Sequence, residues 1–319
     1  MSGAANLWRV RLRRDLRAAL AVAGVLALVP LAVSSPYWLG VLIVSMYFAM
    51  LALGWNLLAG FTGQFSLAPA AFAMLGAYTT ALLDYHWKMP LALGIPAAIV
   101  ATAALGGLLG WVVLRLQGPY LALTTLSFAE IARVVIGNSY VFTRGDQGLN
   151  VPALMHSRVG YYYVFLAVLV AALLLVYALM RRPTGRFWLA IRDDATGAES
   201  RGIDVVRYKT LAFALSCALC GLAGSLYGTF SQLVSPELGL LAQTGLVIAM
   251  VVIGGMGTLS GPIVGALVVY LASEWLREVG NVQMIVFAAA VILVARFFRE
   301  GLWGLATRAL ARRAAARAA

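Results

Sequence analysis

YYYVFLAVLVAALLLVYALMRRPTGRFWLAIRDDATGAESRGIDVVRYK, residues 161–209, joins an uncharged apolar run to the longest polar stretch in the interior of the chain. The run, 161–180, has the length a helix needs to cross about 30 Å of hydrocarbon. Comparable runs recur at 17–35, 37–58, 65–83, 91–114, 119–139, 210–230, 240–256, 261–276 and 283–298, which makes ten candidate spans. Glu130 and Arg133 interrupt the fifth, and glycine crowds the ninth. These are not the ten-residue alternating segments of an outer-membrane barrel. With 62% hydrophobic residues, 11% charged residues and a mean hydropathy of +0.90 over 319 residues, the chain lacks the polar surface a water-soluble globule needs. The expected fold is all-α: a polytopic integral membrane protein of about ten transmembrane helices.

Basic residues fix the expected orientation, because Lys and Arg in short loops stay on the cytoplasmic side. If the N-terminus is inside, nineteen of the twenty-four fall in cytoplasmic segments: five between Arg9 and Arg17, then Arg115, seven between Arg181 and Lys209, and six from Arg296 to Arg317. Lys88, Arg144, Arg158 and Arg277 fall outside, and Arg133 within a span. Both termini are therefore expected in the cytoplasm. The chain divides into a basic N-terminal segment 1–17, a membrane domain 18–298 with its polar loop at 181–209, and a basic tail 299–319. The net charge of +12 reflects this topology and an anionic lipid leaflet, not nucleic acid. The first run also has the look of a signal peptide, ending in the small residues Ala32 to Ser35; an uncleaved first helix is the expectation.

The loop 181–209 is not linker. Phe187, Leu189, Ala190 and Ile191 make an apolar patch flanked by Arg186 and Arg192, while Asp193 and Asp194 are placed to cap a short helix from Ala195 to Arg201 that Gly202 ends. One or two short helices lying flat on the membrane are expected. They are either an ordinary interfacial loop or a docking element for a soluble partner.

Catalytic signatures are missing. No GxxxxGK[ST] loop, HExxH or GxSxG occurs, and His86 and His156 fall in separate external loops, so neither an enzyme nor a cofactor is expected. Cys217 and Cys220 sit in an apolar run with no nearby ligand partner and read as small packing residues.

Polar groups inside spans need a role or a partner. Glu130 and Arg133, three apart on one helical face, either neutralise each other or line a route. Asn56, Gln64, Ser66, Thr124, Thr125 and Ser127 either relieve a passing solute or bond a neighbouring helix backbone. Gly60, Gly63, Gly76, Gly254, Gly255, Gly257, Gly261 and Gly265 suit helices that approach closely in a bilayer. GFTGQFSLAPAAFAMLGAY and GMGTLSGPIVGALVVY share a rough pattern that hints at an internal repeat.

Four blocks carry a family resemblance. They are LGWNLLAGFTGQFSLAPAAFAMLGAYTTALL at 53–83, GPYLALTTLSFAEIARVV at 118–135, the loop and following span at 185–228, and VIGGMGTLSGPIVGALVV at 252–269. In that order they resemble the permease subunits of branched-chain amino acid ABC importers, over about residues 40–298. FTRGDQGLNVP at 142–152 resembles the element after the fifth span of the LivM-like member of the pair, with Arg144 where the family commonly has Gly. The resemblance implies a subunit of the bacterial inner membrane that pairs with a LivH-like permease, two ABC ATPases and an extracytoplasmic substrate-binding protein. It implies carriage of branched-chain amino acids, with urea, amides and other small polar solutes as the alternative within the family. It also assigns the loop to ATPase docking, with Arg186, Ala190, Arg192, Asp193, Asp194, Glu199 and Gly202 as contacts, and leaves Asn56, Gln64, Ser66, Thr124, Thr125, Ser127 and Glu130 for the pathway. The contrary reading, an ATP-independent channel or secondary transporter, needs ion-coupling residues inside the membrane, for which Glu130 is thin support.

Overall fold

The computed structural model describes residues 2–32, 35–113, 119–276 and 301–304. In chain order these form α1 (Ser2–Ala32), α2 (Pro36–Thr62), α3 (Pro69–Trp87), α4 (Leu91–Val113), α5 (Pro119–Asn138), α6 (Tyr140–Thr143), β1 (Leu149–Asn150), α7 (Arg158–Arg181), α8 (Pro183–Asp193), α9 (Ala195–Glu199), α10 (Val205–Ser231), β2 (Leu233–Val234), α11 (Leu241–Gly254) and α12 (Gly261–Leu276). Short 3-10 turns at Gly145–Gln147 and Pro236–Gly239 flank the strands. The expected tenth span, 283–298, and Arg115, Arg277 and the basic tail beyond 304 lie outside the described residues.

Among the described residues, six helices are long and apolar enough to cross a membrane: α1 from Leu12 onward, α2, α4, α5, α7 and α10. The expected ten are not reached among the described residues, and the reasons are local. The helix of the third run, α3, starts only at Pro69, and its 19 residues run on into Asp84, Tyr85 and His86, which dilutes its apolar character. Helix α11 holds 14 residues, roughly 21 Å at the α-helical rise and short of the hydrocarbon thickness, and α12 runs from Gly261 to Leu276, where the described residues break off.

Contacts between segments give the bundle two distinct ends. At one, β1 pairs antiparallel with β2, Arg158 donates to the Pro36 carbonyl at 2.8 Å, the His86 ring stacks on Phe142, and Tyr37 bonds the Glu274 carboxylate. At the other, α8 lies beside the C-terminal end of α2, and Trp303 Nε1 donates to Asp15 at 3.1 Å. Exposed rings crowd both ends. Tyr37, Trp38, Tyr85, Trp87, Tyr140 and Phe142 ring the first, and Trp111 and Tyr120 the second, the distribution of aromatic anchors at two membrane interfaces.

Helix α2 is the axis of the core. Every residue from 45 to 62 is buried, so no single stripe faces a partner; α7, α10, α11 and α12 pack around it. Helix α10 is the second hub, pressed between α3 and α4. A Cβ on Gly76 would land on the Gly221 backbone, and one on Gly224 on the Ala73 carbonyl. The same closeness joins α11 to α12, where a Cβ on Gly265 would meet the Met250 carbonyl. Without a hydrophobic force to drive helices together in lipid, such backbone contact supplies the attraction. Cys217 fills the space over Gly106, and Cys220 Sγ lies 3.3 Å from the Cβ position of Gly54, so both are packing residues as the sequence suggests. Buried hydroxyls close local gaps: Ser216 donates to the Gly54 carbonyl at 2.7 Å, and Thr80 and Ser225 share a hydrogen at 2.6 Å.

The α3–α10 contact gives a direct test. Gly224→Leu forces its side chain against backbone that has no way to yield, an overpacking cost of about 1–3 kcal/mol or more. Its thermal unfolding midpoint in detergent is expected to fall well below the parent's. Gly24→Ala and Gly245→Ala, with nothing within 4 Å of the added carbon, are expected to leave it unchanged.

Candidate functional site

The polar segment folds as two helices. Pro183 starts α8 with its fixed φ. Asp194, in extended conformation, ends α8 and caps α9 by accepting from Gly197 N at 2.9 Å. Asp193 does not cap; its carboxylate takes Nε and Nη2 of Arg192 at 3.1 and 3.0 Å. Gly202, at φ 81°, lets the chain leave α9, and Asp204 caps α10 by accepting from Arg207 N.

The expectation that α8 lies flat on lipid through Phe187, Leu189 and Ile191 is corrected here. Trp188 is completely buried and Ile191 nearly so, whereas Phe187 and Leu189 are only partly covered. Trp188 Nε1 donates to the Tyr208 carbonyl at 2.9 Å, the start of α10. The helix is thus rooted in its own bundle. An indole buries on the order of 150–250 Å², which outweighs the thin patch the sequence points to. Arg186, Arg192, Asp193, Asp194, Glu199 and Gly202 remain exposed, and Ala190 half-buried.

Beside α8, the C-terminal end of α2 forms a polar junction. Helix α2 stops at Gly63, whose left-handed conformation (φ 72°) carries the cap and whose N–H bonds the Leu58 carbonyl. Arg192 Nη1 donates to the Gly60 carbonyl at 3.1 Å, a cation on the negative end of a helix. Asn56 spans to the turn between α11 and α12. Its Nδ2 donates to the Thr258 carbonyl, and its Oδ1 accepts from Gly257 N, both at 2.8 Å. Gln64 Nε2 donates to Thr62 Oγ1 at 3.0 Å and to the Lys209 carbonyl at 3.4 Å. Trp55 Nε1 donates to the Ser66 carbonyl at 2.8 Å, and Leu67 N donates to Thr125 Oγ1 at 2.9 Å. Four of the residues singled out for the pathway, Asn56, Gln64, Ser66 and Thr125, therefore gather at this junction, where Asn56, Gln64 and Thr125 bond the backbone of neighbouring segments.

The other three lie elsewhere. Helix α5 packs by one face, with Leu121, Thr125, Ala129 and Ile136 buried. Its opposite side is exposed at Leu123, Ile131 and Val135, and there Thr124 and Ser127 bond their own helix at the Tyr120 and Leu123 carbonyls. Glu130 and Arg133 form an ion pair on this open side, with Nε to Oε2 at 3.1 Å. They neutralise each other, yet both stay accessible.

At the far end, Arg144 holds a left-handed conformation (φ 60°) and lies over the Tyr85 ring. A backbone of that kind favours glycine, so an arginine there keeps the turn at some strain.

Replacing Asn56 by leucine leaves the Gly257 N–H and the Thr258 carbonyl without their partner, about 1–3 kcal/mol for each buried group. Asn56→Leu is expected to lower the unfolding midpoint in detergent markedly. Asn138→Leu, on an exposed turn of α5, is expected to change it little.

Comparison with known proteins gives one consistent result. Residues 37–295 match the family model described as branched-chain amino acid transport system / permease component. The chain is 31% identical to the high-affinity branched-chain amino acid transport system permease protein LivM of Salmonella typhimurium, covering 87% of this chain and 73% of that one. It is 32% identical to LivM of Escherichia coli K12, with 86% and 73% covered. Against the E. coli K12 permease protein LivH the identity is 25%, over 81% of this chain and 91% of LivH. No solved structure matches. On the match across most of its length, the chain belongs to the branched-chain amino acid transport system permease family.

Proposed function

We propose that the chain is one of two permease subunits of an ATP-driven importer that carries branched-chain or related amino acids into the cytoplasm. The observation that carries the reading is the rooted pair α8–α9: two short helices whose charged residues are exposed while Trp188 and Ile191 anchor them in the bundle. A soluble ATPase gripping such a pair moves the bundle and not merely a loop. The docking surface is then Arg186, Ala190, Asp193, Asp194, Glu199 and Gly202, facing the cytoplasm, with both termini on that side. The remaining partners are a LivH-like permease, two ABC ATPases and an extracytoplasmic binding protein. About ten crossings remain the proposal for the whole chain, α11 and α12 included.

The route runs along the open side of α5. An ion pair facing hydrocarbon is expensive, so the side bearing Thr124, Ser127 and Glu130 meets the water-filled space between the two permease subunits. Asn56, Gln64, Ser66 and Thr125 shape the inner end of that space from the junction.

Two measurements test this. In proteoliposomes holding the permease pair, the ATPases and the binding protein, leucine uptake is expected to stop when nucleotide is withheld or vanadate added; uptake that persists rejects the ATP-driven reading. In sealed right-side-out cells, the Thr196→Cys variant is expected to resist a membrane-impermeant maleimide and to react only after permeabilisation. Labelling from outside reverses the orientation.

A further inference from the structure

We infer that Arg192 is a positioning residue that ties the docking helix α8 to the end of α2 and to the α11–α12 turn, so that all three move as one body. The inference rests on the reading of α8–α9 as the docking element of an ATP-driven permease.

The family resemblance makes Arg192 a contact for the ATPase, one of a row of charges on the loop. The geometry turns it inward. Its Nη1 donates to the Gly60 carbonyl at 3.1 Å. Its stem presses on the left-handed cap of α2, where a Cβ on Gly63 would lie 3.1 Å from Arg192 Cγ and 3.4 Å from its Cα. The same Nη1 lies 3.6 Å from the Cβ position of Gly257, and that position is 3.3 Å from the Gly60 carbonyl oxygen. One guanidinium therefore sits where α8, α2 and the α11–α12 turn converge. Asn56 closes the arrangement by bonding Gly257 N and the Thr258 carbonyl from α2. A Cβ on Gly60 would fall on the Asn56 side chain and 2.8 Å from Gly257 N, so the contact has no slack to absorb a displacement.

The contacts of Arg192 differ in weight. Its bond to neighbouring Asp193 joins residues of one short helix with 37% and 70% of their side chains exposed, and pairs of that kind contribute little. That bond orients the guanidinium but links nothing new. The bond to Gly60 crosses between elements and ends on a helix carbonyl, where a cation is favoured. Trp188 gives α8 a separate hold on α10. Arg192 is the arm toward α2 and the turn. Spatial continuity alone does not establish coupling, so the test must read coupling itself.

In proteoliposomes of the full complex, ATP hydrolysis and leucine uptake are measured together. For Arg192→Gln, the ATPases are expected to co-purify and hydrolyse ATP, while uptake per ATP falls by roughly tenfold, the size of a typical coupling between sites. Loss of the ATPases on co-purification makes Arg192 a docking contact and overturns the proposal, as does unchanged uptake per ATP. The double variant Gly63→Cys/Arg192→Cys keeps the question answerable if the glutamine variant misfolds. The Cβ atoms would lie 3.6 Å apart, within disulfide range, so oxidation restores the tie covalently. The oxidised form is expected to couple uptake to ATP and the reduced form to lose that coupling; equal coupling in both states overturns the inference. Nucleotide-independent uptake by the parent complex refutes the importer reading instead and is seen before any variant is made.

Discussion

A buried helix leaves the carbonyls of its last turn in need of partners, and the fold is arranged around meeting that need at the end of α2. Gly63 turns the chain and returns one N–H to Leu58. Arg192 covers Gly60 from α8, and Asn56, one turn earlier, holds the facing turn by two bonds. Gln64 reaches the start of α10, and Thr125 of α5 takes the Leu67 N–H. Five separated segments thus meet because one buried helix had to stop.

The helical, membrane-embedded character of the chain is written in its composition and its long apolar runs. What those runs do not tell is which helix is inside. Helices α2 and α4 share a hydropathy of 2.0, yet 94% of the apolar window is buried in one and 22% in the other. Lipid tails are as apolar as leucine, so a core helix and a lipid-facing one carry the same signal. Nor do the runs give helix length: α11 ends after 14 residues where Gly255 turns the backbone, and apolarity does not measure that. Of the site, the polar segment and the cap at Asp194 were legible because capping is local chemistry. The roles of Trp188 and Arg192 were not, since both depend on residues from Tyr208 to Gly60 that lie near them only in the fold. A tryptophan at the centre of a charged loop was the available sign.

Two turns at the α8 end have parallel construction. One leaves α2 at Gly63 and starts α3 at Pro69; the other leaves α11 through Gly255 and Gly257 and starts α12 at Gly261 and Pro262. Positive-φ glycine followed by proline at the next helix start accounts for the pattern shared by the two sequence stretches. Both turns are followed by helices in backbone contact, α3 with α10 and α12 with α11. Contacts without interlocking side chains permit sliding along the contact, whereas the bonds of the junction do not.

The rings at the two ends of the bundle bear on the membrane that can hold this chain. From Leu91 to Trp111, α4 rises roughly 30 Å, and amphipathic rings above and below resist leaving the headgroup layers. Height in the lipid is thereby set by the peripheral helices, while the interior helices take their depth from their neighbours. A thinner or thicker bilayer accordingly strains the rim first, through tilt of α1, α4 and α5, and reaches the interior only as far as those helices carry it.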